Sequence, residues 1–520
     1  MQSALLRLTT IQSSLHLASS GEDAHPTLGS NKTMTNEEKT RTSVVIAGAS
    51  GFVGKALIDA LASNHNVIGL SRNPMRDREG FEWRGCNLYS LLQAEEGVRG
   101  ADVAIYLVHS MMPARLTQAS FRDIDLILAD NFARACTKAG VRQIIYVGGL
   151  LPESTELSEH LASRFEVATV LGSTGIPVTC IQAGLIVGAG GSSFRILTRL
   201  VHRLPLMVCP AWTGSMTQPV SIRDVVDVIE ATVDNPDTHG KWYDIGGPEQ
   251  MTYQEMIEET GRIMGKARYT LRVPVFSARL SSLWVQLVTK TPRALVAPLI
   301  ESLRHDMVVK DESFRALLKR EPLSFAESMQ SALQGERALE SREHLPAKRA
   351  ARYRVARKET VVYSIQRLPK PPGTDAIWVA NEYARWLPAF MNPLVRVKVN
   401  ENQDMRFFCA GLPRPLLELS YSKERSTPDR ALYYITGGML ADPTPVGREG
   451  MRGRLEFRET PDGRSVMAAI YDFKPKLPWM IYRMSQAPVH LWVMTSFGKH
   501  LGQLEQRDGH GSAQPVSSIG

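Results

Sequence analysis

SVVIAGASGFVGK, residues 43–55, is the stretch that decides the fold. Its apolar beginning breaks at Gly48, and the chain then passes through Gly51 and Gly54 into a helical pattern. Glycines permit a tight turn after the strand and let main-chain N–H groups come close to a ligand. The N-terminus of the following helix favours negative charge. Glycines spaced in this way between a buried strand and a helix therefore predict a loop that binds a pyrophosphate.

Strands and helices alternate along the rest of the first part of the chain. Apolar runs predict strands at 66–70, 101–108, 143–147 and 177–182, with helical patterns at 121–139 and 157–171. Because βαβ crossovers produce parallel strands, we predict an α/β fold at 42–335, with a doubly wound parallel sheet of the Rossmann type. From about residue 184 the alternation of strands and helices becomes less regular, and we expect this segment to form the wall of a substrate cleft.

The periodicity changes beyond the charged stretch 336–358, which we interpret as a linker. Short strands separated by turn signals such as Pro461-Asp-Gly463 follow, and then a helical stretch from Trp479 to Leu501. This order predicts an α+β domain with an antiparallel sheet at 359–505. Residues 1–41 and 506–520 are predicted to be disordered tails.

The second predicted strand ends at Ser71-Arg72, where dinucleotide-binding folds choose their cofactor. NAD-preferring folds place an acidic residue there against the ribose hydroxyls, whereas NADP-binding folds place an arginine against the 2′-phosphate. Arg72 therefore favours NADP(H), although NAD and an ordinary surface arginine remain alternatives. Ser50, Phe52 and Val53 complete the predicted pyrophosphate loop.

Composition excludes several classes of partner. The net charge of +8 is concentrated between Lys348 and Lys358. No aromatic stacking platform accompanies it, so we predict a solvated linker and no binding of nucleic acid. The five cysteines lack metal-ligand spacing, which predicts no structural metal and a reducing compartment such as the cytoplasm.

No apolar run reaches the roughly 18 to 20 residues that a membrane-spanning helix needs, so no integral membrane segment is predicted. The apolar stretches 280–288 and 294–300 are candidates for a pocket lining or a peripheral membrane contact. The Ser- and Thr-rich first 40 residues are compatible with a transit peptide, or with a disordered tail upstream of a start at Met34. The oligomeric state is left open.

Four motifs together resemble the extended, atypical short-chain dehydrogenase/reductase family: Gly48–Gly54, Val67–Arg72, Tyr106–Met111 and Tyr146–Leu150. The chain looks most like the NAD(P)H-binding branch related to nucleoside-diphosphate-sugar epimerases and to the 39-kDa subunit of mitochondrial complex I. The resemblance covers about 42–335. It implies a small-molecule substrate and a nicotinamide dinucleotide as cofactor.

The resemblance also assigns residues to the cofactor site. The family usually ends its third strand with Asp-Leu beside the adenine, and this chain has Asn87-Leu88 there. An Asn can still hydrogen-bond the adenine, so the resemblance implies that binding survives the change. Leu107 and His109, at the end of the fourth strand, would line the cofactor.

The chain departs from the family at the catalytic position. Active members carry Tyr and Lys one helical turn apart, with a Ser at the preceding strand end; the Tyr moves the substrate proton and the Lys lowers its pKa. Here His160 and Arg164 stand in those places, and Gly148 and Gly149 end the strand. His160 can act as an acid or base near neutral pH. Both residues are also compatible with an ordinary helix surface.

The second domain resembles the helix-grip, START-like ligand-binding fold, in which a sheet curls around a long helix. The resemblance rests on segments such as Gly453–Phe457, Asp472–Trp479 and His490–Phe497. Six residues are candidates either to line an apolar cavity or to fill the core: Trp479, Tyr482, Met484, Trp492, Met494 and Phe497.

Three hypotheses on function follow. The first is an NADP(H)-dependent oxidoreductase or epimerase-like enzyme that acts on an apolar or carrier-like substrate. The second is a catalytically silent dinucleotide-binding redox sensor or assembly factor. The third is a lipid- or isoprenoid-binding protein regulated by the dinucleotide.

Overall fold

The computed structural model describes residues 41–75, 77, 80–109, 117–152, 158–266, 268–273, 286, 301–343, 361–445 and 451–511. Almost all of the predicted N-terminal tail lies outside these residues. So do the basic stretch of the predicted linker, nearly all of the apolar stretches between 280 and 300, and the last nine residues.

The first part of the chain has strands and helices in the predicted alternation. In chain order they are β1 Ser43–Ala47, α1 Phe52–Leu61, β2 Asn66–Ser71, β3 Phe81–Gly85, α2 Leu91–Gly97, β4 Val103–Tyr106, β5 Thr117–Gln118, α3 Phe121–Ala139, β6 Gln143–Gly149, α4 Glu159–Gly172, β7 Val178–Ala183, β8 Ile186–Val187, α5 Ser192–Arg203, β9 Leu206–Pro210, β10 Met216–Thr217, β11 Val220–Ser221, α6 Ile222–Thr232, β12 Trp242–Ile245, β13 Met251–Thr252, α7 Tyr253–Ile263, β14 Tyr269–Val273 and α8 Phe325–Glu343. Short 3-10 helices cover Ala211–Gly214, Pro236–Thr238 and Glu312–Leu317.

Seven of these strands form one parallel sheet in the order β12-β7-β6-β4-β1-β2-β3. The order reverses at β1, which lies between β2 and β4. This reversal makes the sheet doubly wound, as predicted, and opens a crevice at the carboxyl end of β1.

Each face of the parallel sheet is covered by helices. Alternate residues of β1 show the division, because Val45 and Ala47 pack toward α2, α3 and α4. Val44 and Ile46 pack toward α1 and α6. Strands buried on both faces have no polar alternation, which explains why they were visible in the sequence as continuous apolar runs.

The second part of the chain is an α+β unit. Its elements are β15 Val362–Pro369, α9 Ala376–Phe390, β16 Val395–Val399, β17 Met405–Cys409, β18 Leu417–Tyr421, β19 Arg430–Gly437, β20 Arg454–Glu459, β21 Ser465–Phe473, α10 Trp479–Met484 and α11 Gln486–Gly511, with a 3-10 turn at Lys423–Arg425. The sheet order is β16-β17-β18-β19-β20-β21-β15-β5. Every neighbouring pair is antiparallel except β15 and β5. Two-residue β5 belongs to the first part of the chain, so the sheet joins the two parts.

The two faces of the antiparallel sheet pack against different partners. On β21, Val466 and Ala468 contact the core formed with α9 and α11. Met467, Ala469 and Tyr471 point the other way and join the core that contains α3. The helices α2, α3 and α4 are therefore packed between two sheets.

A buried ionic cluster crosses this contact between the two parts. Arg458 of β20 donates to Asp130 of α3 at 2.5 Å, and both side chains are almost fully buried. Arg458 also pairs with Glu456, which accepts from Arg430 at 3.0 Å. Burial alone would raise the pKa of Glu456, but the charges of Arg430 and Arg458 outweigh it and lower the pKa to about 2.

The structure differs from the sequence-based boundaries at several points. Helix α8 continues to Glu343, so its last turns lie within the predicted linker, and Glu336 there accepts from the backbone of Gly190 at 2.7 Å. Helix α11 extends to Gly511, beyond the predicted end at residue 501. Strands β5 and β17 and helix α9 were not predicted from the sequence. Among the described helices, none combines the length and apolar character that crossing a bilayer requires.

The six aromatic and methionine residues of the second domain divide into two groups. Tyr482, Met494 and Phe497 are buried in the core with α9, and Trp479 packs against that core. Met484 and Trp492 instead expose 78% and 52% of their surface. The set as a whole therefore neither fills the core nor lines one cavity.

The buried ionic cluster predicts a large loss of stability when one partner is removed. Arg458→Ala leaves the carboxylates of Asp130 and Glu456 buried without that partner, and we expect the free energy of unfolding to fall by about 3–5 kcal/mol in urea titrations. Arg262→Ala is the control, because Arg262 pairs with Glu259 on the surface. The free energy of unfolding of this control is expected to stay close to that of the wild type, because an exposed ion pair is screened by water. Equal losses in the two variants would contradict the prediction.

Candidate active site

The glycine loop lies where the order of the parallel sheet reverses. It connects β1 to α1, and β4 ends beside it, with the backbone N–H of Leu107 donating to Ala47 at 3.0 Å. The first N–H groups of a helix have no acceptor within the helix, so the start of α1 presents free donors to the crevice. The loop is therefore in the position at which doubly wound sheets bind nucleotides.

The three glycines are required for different reasons. Gly48 has φ +87°, a left-handed conformation that side chains rarely adopt. A Cβ on Gly54 would lie 2.5 Å from the carbonyl oxygen of Gly48, so the loop could not close around it. Gly51 has an ordinary φ of −76°, and its Cβ would meet only that same oxygen, at 3.1 Å. The local fold thus demands Gly48 and Gly54, whereas Gly51 is explained better by the close approach of a ligand.

A cavity of about 550 Å³ begins at this loop and continues toward the second half of the first domain. Nine of the predicted site residues line it: Gly48, Gly51, Phe52, Val53, Gly54, Leu107, His109, His160 and Arg164. The far wall is apolar and consists mainly of Ile196, Leu197, Leu200, Trp212, Tyr253, Met256, Ile257, Leu303 and Met307. The predicted cleft segment beyond residue 184 therefore supplies this wall.

His160 and Arg164 face each other on the first turns of α4. The hydroxyl of Ser158 caps this helix by accepting from the N–H of Leu161 at 3.3 Å, which fixes where His160 stands. The Arg164 guanidinium lies 3.3 and 3.4 Å from His160 Nε2. His160 Nδ1 lies 3.3 Å from the hydroxyl of Ser302, which is 2.9 Å from that of Ser158.

These contacts define the protonation state of His160. Burial, and secondly the charge of Arg164, lowers its pKa to about 3. The ring is therefore neutral at physiological pH, with Nε2 accepting from Arg164 and Nδ1–H donating to Ser302. A neutral imidazole with this pKa is not poised to exchange protons near pH 7, so the expectation of a neutral-range acid or base at this position is not supported by its surroundings.

His109 and the strand end of β6 form the opposite side of the cleft. His109 Nε2 lies 3.1 Å from the carbonyl oxygen of Val147, and burial lowers its pKa well below the usual value. Its Nδ1 is buried without a partner among the described residues. Gly149 has open space where a Cβ would stand, so the missing family serine at this strand end is not explained by steric exclusion.

Four predicted cofactor residues lie outside the cavity lining. Ser50 and Arg72 are exposed, and Leu88 is buried in the core beneath α3. Asn87 lies at the contact with the second domain, where its side chain hydrogen-bonds the Tyr363 hydroxyl. The predicted catalytic residues and most of the residues predicted to bind the pyrophosphate therefore line one cavity. The residues predicted to contact the adenine and its ribose lie outside this cavity, near the ends of β2 and β3.

The second domain supports the segment that follows β3. The ring of Tyr363 lies 4.7 Å from that of Tyr89, between centroids. Arg454 donates to the carbonyl oxygen of Tyr89 at 2.7 Å. Tyr363 in turn donates to Asp472 at 2.7 Å. Sequence reasoning missed these partners because they lie hundreds of residues away along the chain.

Sequence reasoning also missed the residues that complete the cleft. Ser302 follows a long apolar segment, and no motif marks it. The wall formed by α5 was accessible in principle, because Phe194, Leu197 and Val201 recur at helical spacing and indicate a buried face. Trp212 and Tyr253 carried no such signal.

Comparisons with known proteins confirm the class of nucleotide-binding domain. A family model described as NAD(P)H-binding matches residues 48–194. The auxiliary protein GraX of Staphylococcus aureus is 29% identical over 141 residues, which are 26% of this chain and 42% of GraX. The chain thus spans less than half of the length of that relative.

Two longer matches agree with the resemblance noted in the sequence. UDP-glucose 4-epimerase of Vibrio cholerae is 23% identical and covers 47% of this chain and 83% of its own length. The 40 kDa subunit of mitochondrial NADH-ubiquinone oxidoreductase from Neurospora crassa is 22% identical, over 52% of this chain and 72% of its own. The first part of this chain is therefore similar to NAD(P)H-binding proteins, and its glycine loop opens into an apolar cleft.

Proposed function

We propose that this protein is an oxidoreductase that uses NADP(H) to reduce or oxidise a largely apolar small molecule. One observation carries the proposal: the mouth lined by Gly51 to Gly54 and the apolar wall belong to one continuous cavity. A dinucleotide whose pyrophosphate lies at the loop would reach into the chamber that accommodates the substrate. Its nicotinamide and an apolar substrate would then occupy one cavity that is lined mainly by apolar side chains.

The lining of the chamber supports an apolar substrate over a sugar nucleotide. Ligand pockets place a few polar groups among apolar walls, and the polar groups fix orientation. Here the polar side chains on the lining are few: His109, His160, Arg164, Ser192, Ser193, Thr217 and Ser302. A sugar with several hydroxyl groups would leave most of them facing hydrocarbon, at a cost in free energy.

The chain's residues fit a nicotinamide dinucleotide. The backbone N–H groups of Phe52, Val53 and Gly54, at the start of α1, would hold the pyrophosphate. Arg72 is exposed at the end of β2, where it would hold a 2′-phosphate. The orphaned Nδ1 of His109 offers an acceptor for a ribose hydroxyl.

When bound, the nicotinamide would supply a hydride or accept one. The chain's contribution is electrostatic. Arg164 and the Ser302 hydroxyl are donors that would stabilise negative charge developing on a substrate oxygen. His160 holds both of them in place from its two ring nitrogens. We infer that His160 acts as a neutral hydrogen-bonding group rather than as a proton carrier.

A catalytically silent redox sensor is the second candidate function, and the pKa values of four groups in and around the cleft favour it. Burial raises the pKa of Tyr253 to about 12 and lowers that of His160 to about 3. Burial also lowers the pKa of His109 and raises that of Tyr146. None of these four groups titrates near pH 7, so a reaction that needs a strong general acid would be slow.

We further propose that the second domain is START-like. Its antiparallel sheet packs one face against both α9 and the long helix α11, which is the arrangement of a helix-grip fold. Because Tyr482, Met494 and Phe497 are buried in that core, a lipid carried inside this domain is less well supported than a substrate in the first domain.

Gly51→Val tests the pyrophosphate loop. Position 51 has an ordinary φ, and an added Cβ would lie 3.1 Å from the Gly48 carbonyl oxygen, so the loop must shift slightly to accept the side chain that blocks the phosphates. Isothermal titration should show NADPH binding for the wild type and at least a tenfold (about 1.4 kcal/mol) loss for the variant. The thermal midpoint of the apo proteins is the control. A variant that binds NADPH as the wild type does would overturn the proposed site.

Arg72→Ala tests the cofactor preference. Loss of a charged partner for the 2′-phosphate should weaken NADPH binding about 10- to 100-fold, corresponding to about 1.5–3 kcal/mol, and leave NADH binding unchanged. Arg99→Ala is a matched control, because Arg99 is an exposed arginine on the same domain. Equal weakening of NADPH and NADH would contradict a role at the 2′-phosphate.

His160→Phe separates the enzyme from the sensor. The variant removes both hydrogen bonds that position Arg164 and Ser302, so turnover with carbonyl, quinone or enone substrates should fall about 100-fold or more, with NADPH affinity kept. Thr169→Ala, exposed on the same helix, is the control. Because His160 gains its proton only near pH 3, the wild-type rate should show no histidine ionisation between pH 5 and 8.

The opposite results have clear meanings. A wild type that binds NADPH but oxidises it with none of these substrates would favour the sensor. A step in the pH–rate profile near 6.5 that disappears in His160→Phe would contradict the neutral role assigned to this residue.

A further inference from the structure

The second domain exposes a cluster of large apolar side chains at one end. Helix α10 presents Met480 and Met484, which expose 65% and 78% of their surface. The first turns of α11 add Val489 and Trp492, each 52% exposed. Together with Ile481 and Phe390, which are also exposed, we call these residues the α10 surface. Contiguous apolar patches of this kind on a protein surface mark interaction sites.

The α10 surface is held in place by the core beneath it. Tyr482 of α10 and Val493 and Met494 of α11 are buried against the sheet. The ring of Trp492 contacts that of Phe390 at 4.9 Å between centroids, so the end of α9 continues the surface. Ser485 alone separates α10 from α11. The exposed side chains therefore belong to a packed platform, and their exposure is not a consequence of local fraying.

The charge around this platform has one sign. From Phe473 to Leu504 the sequence contains Lys474, Lys476, Arg483 and Lys499 and not a single Asp or Glu. Lys474 pairs with Asp442, but Lys476 and Arg483 are exposed, and Arg483 lies on α10 between the exposed methionines. An apolar face whose own segment carries cations and no acidic residue is complementary to a surface with an apolar interior and anionic groups at its boundary.

We propose that the α10 surface binds the interface of an anionic lipid bilayer. Met480, Ile481, Met484 and Trp492 would enter the region between headgroups and acyl chains, and Lys476 and Arg483 would contact the anionic headgroups. Tryptophan is favoured at this depth because its ring is apolar and its N–H is polar. The contact lies on the surface and needs no membrane-spanning segment.

This proposal does not depend on the proposed oxidoreductase function. It uses residues of the second domain alone, and none of them lines the cleft of the first domain. Failure of either proposal would leave the other intact.

Flotation of the full chain with lipid vesicles tests the inference. We expect binding to vesicles of phosphatidylcholine that contain about 30% phosphatidylserine, weaker binding to pure phosphatidylcholine, and loss of the difference at high salt. Met484→Ser combined with Trp492→Ser should weaken binding to the anionic vesicles at least about tenfold. Lys476→Glu combined with Arg483→Glu should weaken it to a similar extent through charge.

Leu206→Ser combined with Tyr269→Ser is the matched control. These two residues pair across β9 and β14 in the first domain and expose 59% and 73% of their surface. If general stickiness caused the binding, this control would weaken it as much as the α10 variant does. Thermal unfolding of all variants establishes that each is folded.

Three results would overturn the proposal: no flotation of the wild type with anionic vesicles, retention of binding by the Met484→Ser/Trp492→Ser variant, or equal weakening in the control. Sedimentation velocity distinguishes the main competing occupant. A dimer that dissociates in the Met484→Ser/Trp492→Ser variant, with no vesicle binding by the wild type, would assign the surface to a second copy of the chain.

Discussion

The ion pair between Arg458 and Asp130 holds the two parts of this chain in one arrangement. Charges that are removed from water must be paired, since a lone buried charge costs several kcal/mol. Arg458 finds Asp130 only when the antiparallel sheet lies on α3 in one register. A sheet that slid along the helix would break this pair, although Arg458 would keep Glu456 on its own sheet and Asp130 would keep Arg134 on its own helix. The packing of Met467, Ala469 and Tyr471 on the first domain therefore has a specific geometry in addition to its hydrophobic stabilisation.

The second domain also contacts the segment of the first domain that follows β3. The sheet that carries Arg458 also carries Arg454, which supports the backbone of Tyr89, and β15 carries Tyr363, which contacts Asn87. The segment after β3 is consequently held from both sides. The second domain thus covers this segment of the first domain.

In the cleft, burial changes the chemistry that a histidine side chain can perform. His160 is the residue for which the sequence suggested proton transfer near neutral pH. In the folded protein, apolar neighbours and Arg164 disfavour the imidazolium, so the ring is a fixed hydrogen-bonding group. Burial and the charge of Arg164 thus remove the acid–base chemistry near neutral pH that the sequence alone suggested. Any catalysis in this cleft would rest on positioning and on the fixed charge of Arg164.

The sequence by itself determined the class of the first domain, the parallel order of its strands and the place of the glycine loop. These features depend on local patterns, because a buried parallel strand is a continuous apolar run and a loop that binds phosphate needs glycine at fixed spacing. Most strands of the second domain were also visible, through turn signals and alternation.

Only the tertiary structure decided which charged residues are buried. Arg454, Glu456 and Arg458 alternate with apolar residues on β20, a pattern typical of a solvated face, yet all three are buried and Arg458 pairs with Asp130 of α3. It also decided that Ser302 lines the cleft, that Tyr363 contacts Asn87, and that Met484 and Trp492 face outward. Whether a residue is buried depends on segments that are distant in the sequence and meet in the fold. The sequence of one segment alone therefore does not show which of its residues will be covered.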